Sequence, residues 1–178
     1  KIGYIEEMYG GIGTEIAYKN VLKPWYIAAN FYWVKQRDFN QRFTFRDYET
    51  FTGHIDFFWD TPVEGLTINL SGGRYLAKDS GITLNISKRF KTGFLLGAFA
   101  TRTDISFGEF GEGSFDKGIY FSIPLDVISS RHNPNNAKFS WKNLTKDGGQ
   151  KLMNTLQIQK FLNDSAYNLD YQSYGLQR

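Results

Sequence analysis

Cysteine is absent from the 178 residues of the chain, and histidine occurs only as His54 and His132. Without cysteine, neither a disulfide framework nor a thiolate metal site can form. Two histidines so far apart in sequence are too few to suggest a histidine-based metal site, so neither a metal nor another cofactor is expected. The sequence also lacks any run approaching 18 consecutive apolar residues, which excludes a transmembrane helix.

An excess of charge of one sign is also missing. The chain carries 21 Lys and Arg residues against 18 Asp and Glu residues, which gives a formal net charge of +3. Acidic and basic residues are interspersed and do not form a basic stripe, so no nucleic-acid partner is predicted.

Aromatic residues are abundant, with 16 Phe, 11 Tyr and 4 Trp, although the mean hydropathy is only −0.42. This combination is typical of a transmembrane β-barrel, in which hydrophobic residues alternate with polar ones along each strand. It is equally compatible with an aromatic-rich soluble β-sandwich, so composition leaves both architectures open.

Apolar and polar residues alternate with period two along most of the chain, which predicts β-strands. Eight or nine strands are expected, while the apolar run 152–162 is ambiguous between strand and helix. The strand-like runs cover residues 12–22, 25–37, 51–59, 66–71, 82–89, 93–103, 117–127 and 137–142. We predict one all-β unit over residues 1–162 and a polar C-terminal tail over residues 163–178.

The lengths of these runs and of their connections favour a membrane barrel. Several runs reach about 11 residues, as a membrane strand requires, whereas a soluble strand usually has about 5–6. The two long connections, 37–46 and 104–117, would emerge on the same rim of an up-and-down barrel, which is typical of outer-membrane proteins. We therefore predict an antiparallel up-and-down transmembrane β-barrel, or the C-terminal segment of one.

In such a barrel, one face of each strand meets lipid and the other lines a polar lumen. The run 117–127 shows the pattern, with Ile119 and Phe121 in one register and Tyr120 in the other. Pro124 removes a backbone donor from the sheet and predicts a bulge or a strand break near the rim. The residues predicted to face the lumen are Glu15, Lys19, His54, Asp56, Tyr120 and Asp126.

The connection 37–46 and its flanks combine arginine with aromatic residues. Arginine binds carboxylates through two parallel hydrogen bonds, and aromatic rings offer flat apolar faces, so the cluster could contact an anionic polysaccharide. It could equally be an aromatic girdle with charges at the rim. The candidate contact residues are Arg37, Arg42, Phe43, Arg46 and Tyr48.

Several long stretches resemble the C-terminal part of the YjbH/GfcD (WbfB-like) proteins, over nearly everything from Gly3 to about Leu152. They are GYIEEMYGGIGTEIAY, VKQRDFNQRFTFRDYETFTGH, GRYLAKDSGITLNISKRF, EFGEGSFDKGIYFSIPLD and LTKDGGQKL. The resemblance implies an outer-membrane β-barrel protein, encoded with exopolysaccharide or group 4 capsule genes, that acts in export or assembly of the polymer. It implies a longer protein with a lipoprotein-type signal, of which this sequence is a C-terminal portion, and it supplies no catalytic residues.

The sequence begins with Lys1 and no apolar leader follows, so we expect either a removed signal peptide or a piece of a longer chain. The leading hypothesis is a Gram-negative outer-membrane barrel segment that assists export of an anionic polysaccharide without being an enzyme. Its expected partners are the polymer, outer-membrane lipid and other exopolysaccharide-secretion proteins. The alternatives are a soluble carbohydrate-binding β-sandwich and a hydrolase or lyase that acts on the polymer.

Overall fold

The computed structural model describes residues 1–40, 42–105, 115–127, 135–142, 148–153, 157, 158 and 162. These residues form nine antiparallel strands in a single sheet, and the order of strands in the sheet follows their order in the chain. The strands are β1 (Ile2–Tyr4), β2 (Tyr9–Lys19), β3 (Trp25–Arg37), β4 (Phe45–Asp60), β5 (Leu66–Arg74), β6 (Ser80–Arg89), β7 (Leu95–Thr103), β8 (Asp116–Pro124) and β9 (Asn136–Lys142).

The all-β, up-and-down architecture predicted from period-two alternation is confirmed. Strand β1 was missed because its three residues are too few to show a period. Strand β8 ends at Pro124, and a single 3-10 turn, Leu125–Val127, follows it. This is the strand break that the proline predicts, because proline cannot donate a ladder hydrogen bond.

The two long connections recognised in the sequence lie on one rim, as predicted, but a third long connection, which was not recognised, lies on the other. Residues 38–44 and 104–115 do connect their strands on the same rim, but residues 125–135, between β8 and β9, connect theirs on the opposite rim. The alternation of apolar and polar residues along β8 stops at Pro124 and the 3-10 turn. The sequence pattern therefore did not show how long the connection from β8 to β9 is.

The outer face of the sheet is apolar and exposed. On β4, for example, Phe51, Ile55, Phe57 and Trp59 are all exposed, and they alternate with buried neighbours. Across the described residues the sheet does not close, since β1 and β9 each pair with one strand only. No helix in the described ranges is long and apolar enough to cross a membrane.

Aromatic side chains line the outer face at two levels, one near a rim and the other near the middle of β3 and β4. Near the rim that holds the β2–β3 and β6–β7 turns, ring centroids lie 6.2 Å apart for Trp25 and Phe57 and 4.8 Å apart for Phe121 and Phe139. Toward the other rim, the rings of Phe31 and Phe51 lie 6.4 Å apart. The sheet therefore carries an aliphatic band between two sets of rings.

Candidate functional site

The inner face of the sheet is mostly polar, and it is buried on β4 and buried or half-buried on most other strands. On β4, the buried residues Thr52, His54 and Asp56 alternate with the apolar residues of the outer face. Opposite Asp56 in the register lies Ser71 of β5, which in turn pairs with Thr83 of β6. A row of small polar side chains thus crosses the sheet, because every second residue of each strand points inward.

A segment after β9 folds back across this inner face. The Gly149 N–H donates to Asp79 Oδ2 at 2.8 Å, and the Leu76 N–H donates to the Gln150 carbonyl at 3.0 Å. Further along, the Met153 N–H donates to Glu6 Oε2 at 2.6 Å. We call residues 149–153 the inner strap.

Lys151 is the central anchor of the inner strap. Its Nζ lies 3.3 Å from Asp56 Oδ1 and donates a hydrogen bond to Ser71 Oγ. Burial lowers the pKa of Lys151 from its ordinary value, and the neighbouring Asp56 carboxylate opposes that shift. The strap therefore neutralises a carboxylate that the sheet itself leaves buried.

Apolar residues join the inner strap to one end of the concave face. Leu152 packs with Ile5, Tyr32, Val34 and Leu76 in a small buried cluster. Leu76 belongs to the β5–β6 connection, which folds inward and buries Tyr75 beside it. The Tyr75 hydroxyl shares a hydrogen bond of 2.6 Å with Thr83 Oγ1, so the connection is tied to the sheet as well.

Beside this cluster lies a polar cavity of about 300 Å³. Its walls come from β2 to β6, β8, the inner strap and Gln157 beyond it. They comprise Glu15, Asn30, Tyr32, His54, Asp56, Phe58, Thr67, Asn69, Asn85, Ser87, Tyr120, Lys151, Leu152 and Gln157. Two glycines make room for its aromatic walls, since a Cβ at Gly13 would lie 1.9 Å from the Tyr32 ring and one at Gly97 would lie 2.2 Å from the Tyr120 ring.

Four of the six residues predicted to face a lumen line this one cavity: Glu15, His54, Asp56 and Tyr120. Lys19 lies in the same strand register as Glu15 but outside the cavity, with its Nζ 5.4 Å from the centroid of the Tyr26 ring. Asp126 is exposed in the 3-10 turn beyond β8. The placement of Asp126 on the strand was therefore wrong, because Pro124 ends the strand first.

The five residues predicted to contact a polysaccharide, here called the arginine cluster, do not form one surface. Arg37 is buried at the end of β3, where its Nη1 donates to the Glu7 carbonyl at 2.8 Å and its guanidinium lies 4.0 Å from the Tyr4 ring centroid. Tyr48 is half-buried, and its hydroxyl donates to the Leu76 carbonyl at 2.5 Å. Both residues are engaged in contacts that hold the chain together.

The other three members of the cluster are exposed. Phe43 is 86% exposed, and Arg42 lies beside it in the β3–β4 connection. Arg46 is the second residue of β4, and its guanidinium lies 4.5 Å from the Phe39 ring centroid. Only these residues of the cluster are placed to meet a ligand from solution.

The strap is the part of the site that sequence reasoning missed. The stretch KDGGQK before Leu152 has no period, so neither strand nor helix patterns apply to it. The glycines of this stretch and Lys151 were the features from which a segment that folds onto the sheet could have been inferred. In the ambiguous run 152–162, Ile158 and Leu162 have helical backbone conformation. Residues 163–178, predicted to be a tail, lie outside the described residues.

The chemistry of the site is hydrogen bonding by neutral polar groups around a few paired charges. Within the described ranges, no three His, Asp or Glu side chains converge as metal ligands would. The Glu15 carboxylate accepts hydrogen bonds from the Tyr32 hydroxyl and, at 2.8 Å, from the Ile158 N–H, and it lies 3.0 Å from Lys1 Nζ. Such a lining suits binding of a polar ligand.

Comparison with known proteins finds similarity over nearly the whole chain. The model of the YjbH family (Exopolysaccharide biosynthesis protein YbjH) matches residues 1–164. The "Uncharacterized lipoprotein YjbH" of Escherichia coli (strain K12) is 40% identical over 171 residues, which cover 93% of this chain and 24% of that protein. The chain thus spans about a quarter of the length of this relative. No solved structure matches the chain significantly.

Proposed function

The chain belongs to the YjbH family of exopolysaccharide biosynthesis proteins, and from this membership we propose that it forms part of an outer-membrane β-barrel that assists export or assembly of an exopolysaccharide or capsule. The observation that carries the proposal is the distribution of apolar and polar residues between the two faces of the sheet. Exposed apolar residues lie on one face, while the polar residues of the other face are mostly buried or half-buried from β2 to β8. An envelope location is supported further by the lipoprotein named among its relatives.

The dimensions of the outer face support lipid as its neighbour. Trp25 and Trp33 lie eight residues apart on β3, which corresponds to about 27 Å along the strand at about 3.4 Å per residue and to about 21 Å along the membrane normal at a strand tilt of about 40°. The apolar band of outer-membrane barrels is about 25 Å tall and is flanked by aromatic girdles. The soluble β-sandwich gains no such support, because no second sheet covers the outer face in the described part of the chain.

Closure of the barrel requires more strands than this sheet supplies. Its edge strands β1 and β9 are not paired with each other, and unpaired edges are not tolerated in the hydrocarbon region. We infer that the sheet is one part of a larger closed barrel. The match to only a quarter of a longer relative supports this inference.

We propose a binding and guiding role for the inner face, without catalysis. The inner strap occupies part of this face, so the described part does not form an open channel. An anionic polymer would first meet the exposed Arg42 and Arg46 at the rim, where weak, salt-screened attraction is suited to passage. Other exopolysaccharide-secretion proteins would deliver the polymer or receive it.

The test is to quantify polymer in cells with and without the protein. We expect deletion to lower surface polysaccharide and to raise the amount retained in the cell. The protein should fractionate with the outer membrane and require detergent for extraction. Normal surface polymer in the deletion strain would contradict the export role, and breakdown of the polymer by the purified protein would favour the hydrolase or lyase.

The rim arginines are tested by Arg42→Gln combined with Arg46→Gln. We expect normal assembly, because exposed charges at a rim contribute little to stability, together with reduced surface polymer. The matched control, Lys23→Gln with Lys91→Gln, removes two exposed charges from the opposite rim. If both variants export the same amount of polymer, the cluster is only an aromatic girdle with charges at the rim and does not contact the polymer.

A further inference from the structure

The polar cavity has the size of a site for one small ligand. Its volume of about 300 Å³ equals that of about ten water molecules at about 30 Å³ each, and it lies at the lower end of the range for ligand pockets. His54, one of its walls, is only 3% exposed, and its Nε2 has no hydrogen-bond partner among the described residues. The cavity is therefore a formed space with polar groups available in its walls.

Neutral amides and hydroxyls dominate the walls. Asn30, Asn69 and Asn85 come from β3, β5 and β6, and Asn69 lies directly opposite Asn85 in the register. The Tyr120 hydroxyl donates to Asn85 Oδ1 at 2.8 Å, which leaves the Asn85 amide hydrogens as donors. An amide both donates and accepts, as does each hydroxyl group of a sugar, so the two match in kind.

Aromatic rings stand next to these amides. Phe58 pairs with Asn69 in the sheet and stacks on Tyr26, with ring centroids 4.4 Å apart and planes 6° apart. Tyr32 and Tyr120 form further walls. Rings beside neutral hydrogen-bonding groups present an apolar face and a polar edge together, which is what the C–H and O–H faces of a pyranose require.

The charges of the cavity disfavour an anion. Among its lining residues, Lys151 is the one lysine or arginine, and its ammonium is already bonded to Asp56 and Ser71. A ligand carboxylate would enter beside the carboxylates of Glu15 and Asp56 and would gain no unpaired cation. Like charges at close range repel, most strongly where water is excluded.

We propose that this cavity binds one neutral, hydroxyl-rich sugar unit and discriminates against acidic sugars. The inference rests on the proposed export role and adds a specific site to it. The exposed arginines at the rim and the neutral cavity would then contact different units of the same polymer.

The direct test is titration of the full-length protein with D-galactose, N-acetyl-D-glucosamine and D-glucuronate. The protein is held in a detergent without a sugar headgroup, and binding is followed by saturation-transfer difference NMR. We expect saturable binding of at least one neutral sugar, and binding of glucuronate at least about tenfold weaker. Binding of glucuronate as tight as the neutral sugars, or no neutral sugar bound, would overturn the proposal.

Two variants locate the binding. Asn85→Leu keeps a similar volume but removes the amide, and we expect neutral-sugar affinity to fall at least about tenfold. Asn136→Leu makes the same change on β9 in the inward register but outside the cavity, and it should bind as the wild type does. If Asn85→Leu fails to assemble, Thr67→Val removes a hydroxyl from the cavity wall instead. If the variant that assembles binds the neutral sugar with unchanged affinity, the cavity is not the binding site.

Failure of this inference can be told apart from failure of the export role. If no neutral sugar binds while cells lacking the protein still fail to display polymer, the cavity proposal is wrong and the export role stands. If such cells display normal polymer, the export role is wrong, whatever the titration shows.

Discussion

The two faces of the same sheet make an instructive comparison. On β4, Phe57 is 41% exposed whereas its neighbour Asp56 is 2% exposed, the reverse of what a water-soluble protein shows. The inner face is completed by the chain's own strap, since Lys151 neutralises Asp56 and Leu152 fills an apolar cluster. The apolar outer face has no such cover among the described residues, and lipid would supply it. Asp56 thus has its counter-charge within the chain, whereas the apolar residues of the outer face are covered by no described segment.

The largest effect is expected from placing charge on the outer face. Leu70→Arg should prevent assembly, because arginine near the bilayer midplane of a barrel costs about 2–4 kcal/mol. Leu70 is exposed in the middle of β5 and pairs with Phe57. The measurement is the fraction of folded protein in the outer membrane, read from heat-modifiable migration on gels.

The matched control is Asn69→Arg, one residue earlier on β5 and on the inner face. It should assemble better than Leu70→Arg, because the inner face is polar and half-exposed at this position. If Leu70→Arg assembles as well as the wild type does, the outer face does not meet lipid and the comparison between the two faces fails.

A smaller effect is expected at the strap. Lys151→Met removes the ammonium that pairs with Asp56 and leaves a buried carboxylate without this partner. Because Lys151 keeps about a third of its side chain exposed, we expect a loss of about 1–3 kcal/mol in the free energy of unfolding. Urea unfolding in micelles measures it.

Lys138→Met on β9 is the control for this change, since it removes an exposed lysine in the inward register. Combining Lys151→Met with Asp56→Asn should recover part of the loss, because the buried charge is then gone. Equal stability of Lys151→Met and Lys138→Met would show that the strap does not hold the inner face.

The smallest effect concerns pH and Tyr75. Burial raises the pKa of Tyr75 from 10.0 to about 12, so the folded chain keeps its phenol proton at pH values where the unfolded chain has lost it. This contribution to stability is fully present below about pH 10 and is lost as the pH rises toward about 12. Tyr75→Phe, which also loses the hydrogen bond to Thr83, should cost about 1 kcal/mol near neutrality.

Above pH 10 the gap in stability between wild type and Tyr75→Phe should narrow, because only the wild type carries the titrating phenol. Urea midpoints at pH 8 and pH 11 measure this gap, and the subtraction cancels the titration of the other tyrosines and lysines. A gap that stays constant would show that Tyr75 is not buried in the folded protein.

Some of this architecture could be read from local patterns. The alternation of Phe51, Ile55 and Phe57 with Thr52, His54 and Asp56 predicted both faces of β4, because a strand sends successive side chains to opposite sides. The same rule brought Glu15, His54, Asp56 and Tyr120 to one face. It did not place Asp126, since the alternation ends where Pro124 breaks the strand.

The arginine cluster shows the limit of prediction from local sequence. Arg37, Arg42 and Arg46 all lie among aromatic residues in the same stretch of sequence. Arg37 is nevertheless buried against Tyr4 and Glu7, which belong to another part of the chain, while Arg42 is exposed. Whether an arginine binds its own chain or a ligand depends on what the fold brings beside it. Proximity in sequence carries no such information.

By itself the sequence determined eight of the nine strands, their up-and-down order and the opposition of apolar and polar faces, because these follow from a period of two and from the succession of strands along the chain. Only the tertiary structure decided that the inner strap crosses the polar face, that Lys151 meets Asp56 from 95 residues away, and that a cavity remains beside them. These contacts join distant segments without any repeat in the sequence, and they form because a buried carboxylate must find a counter-charge.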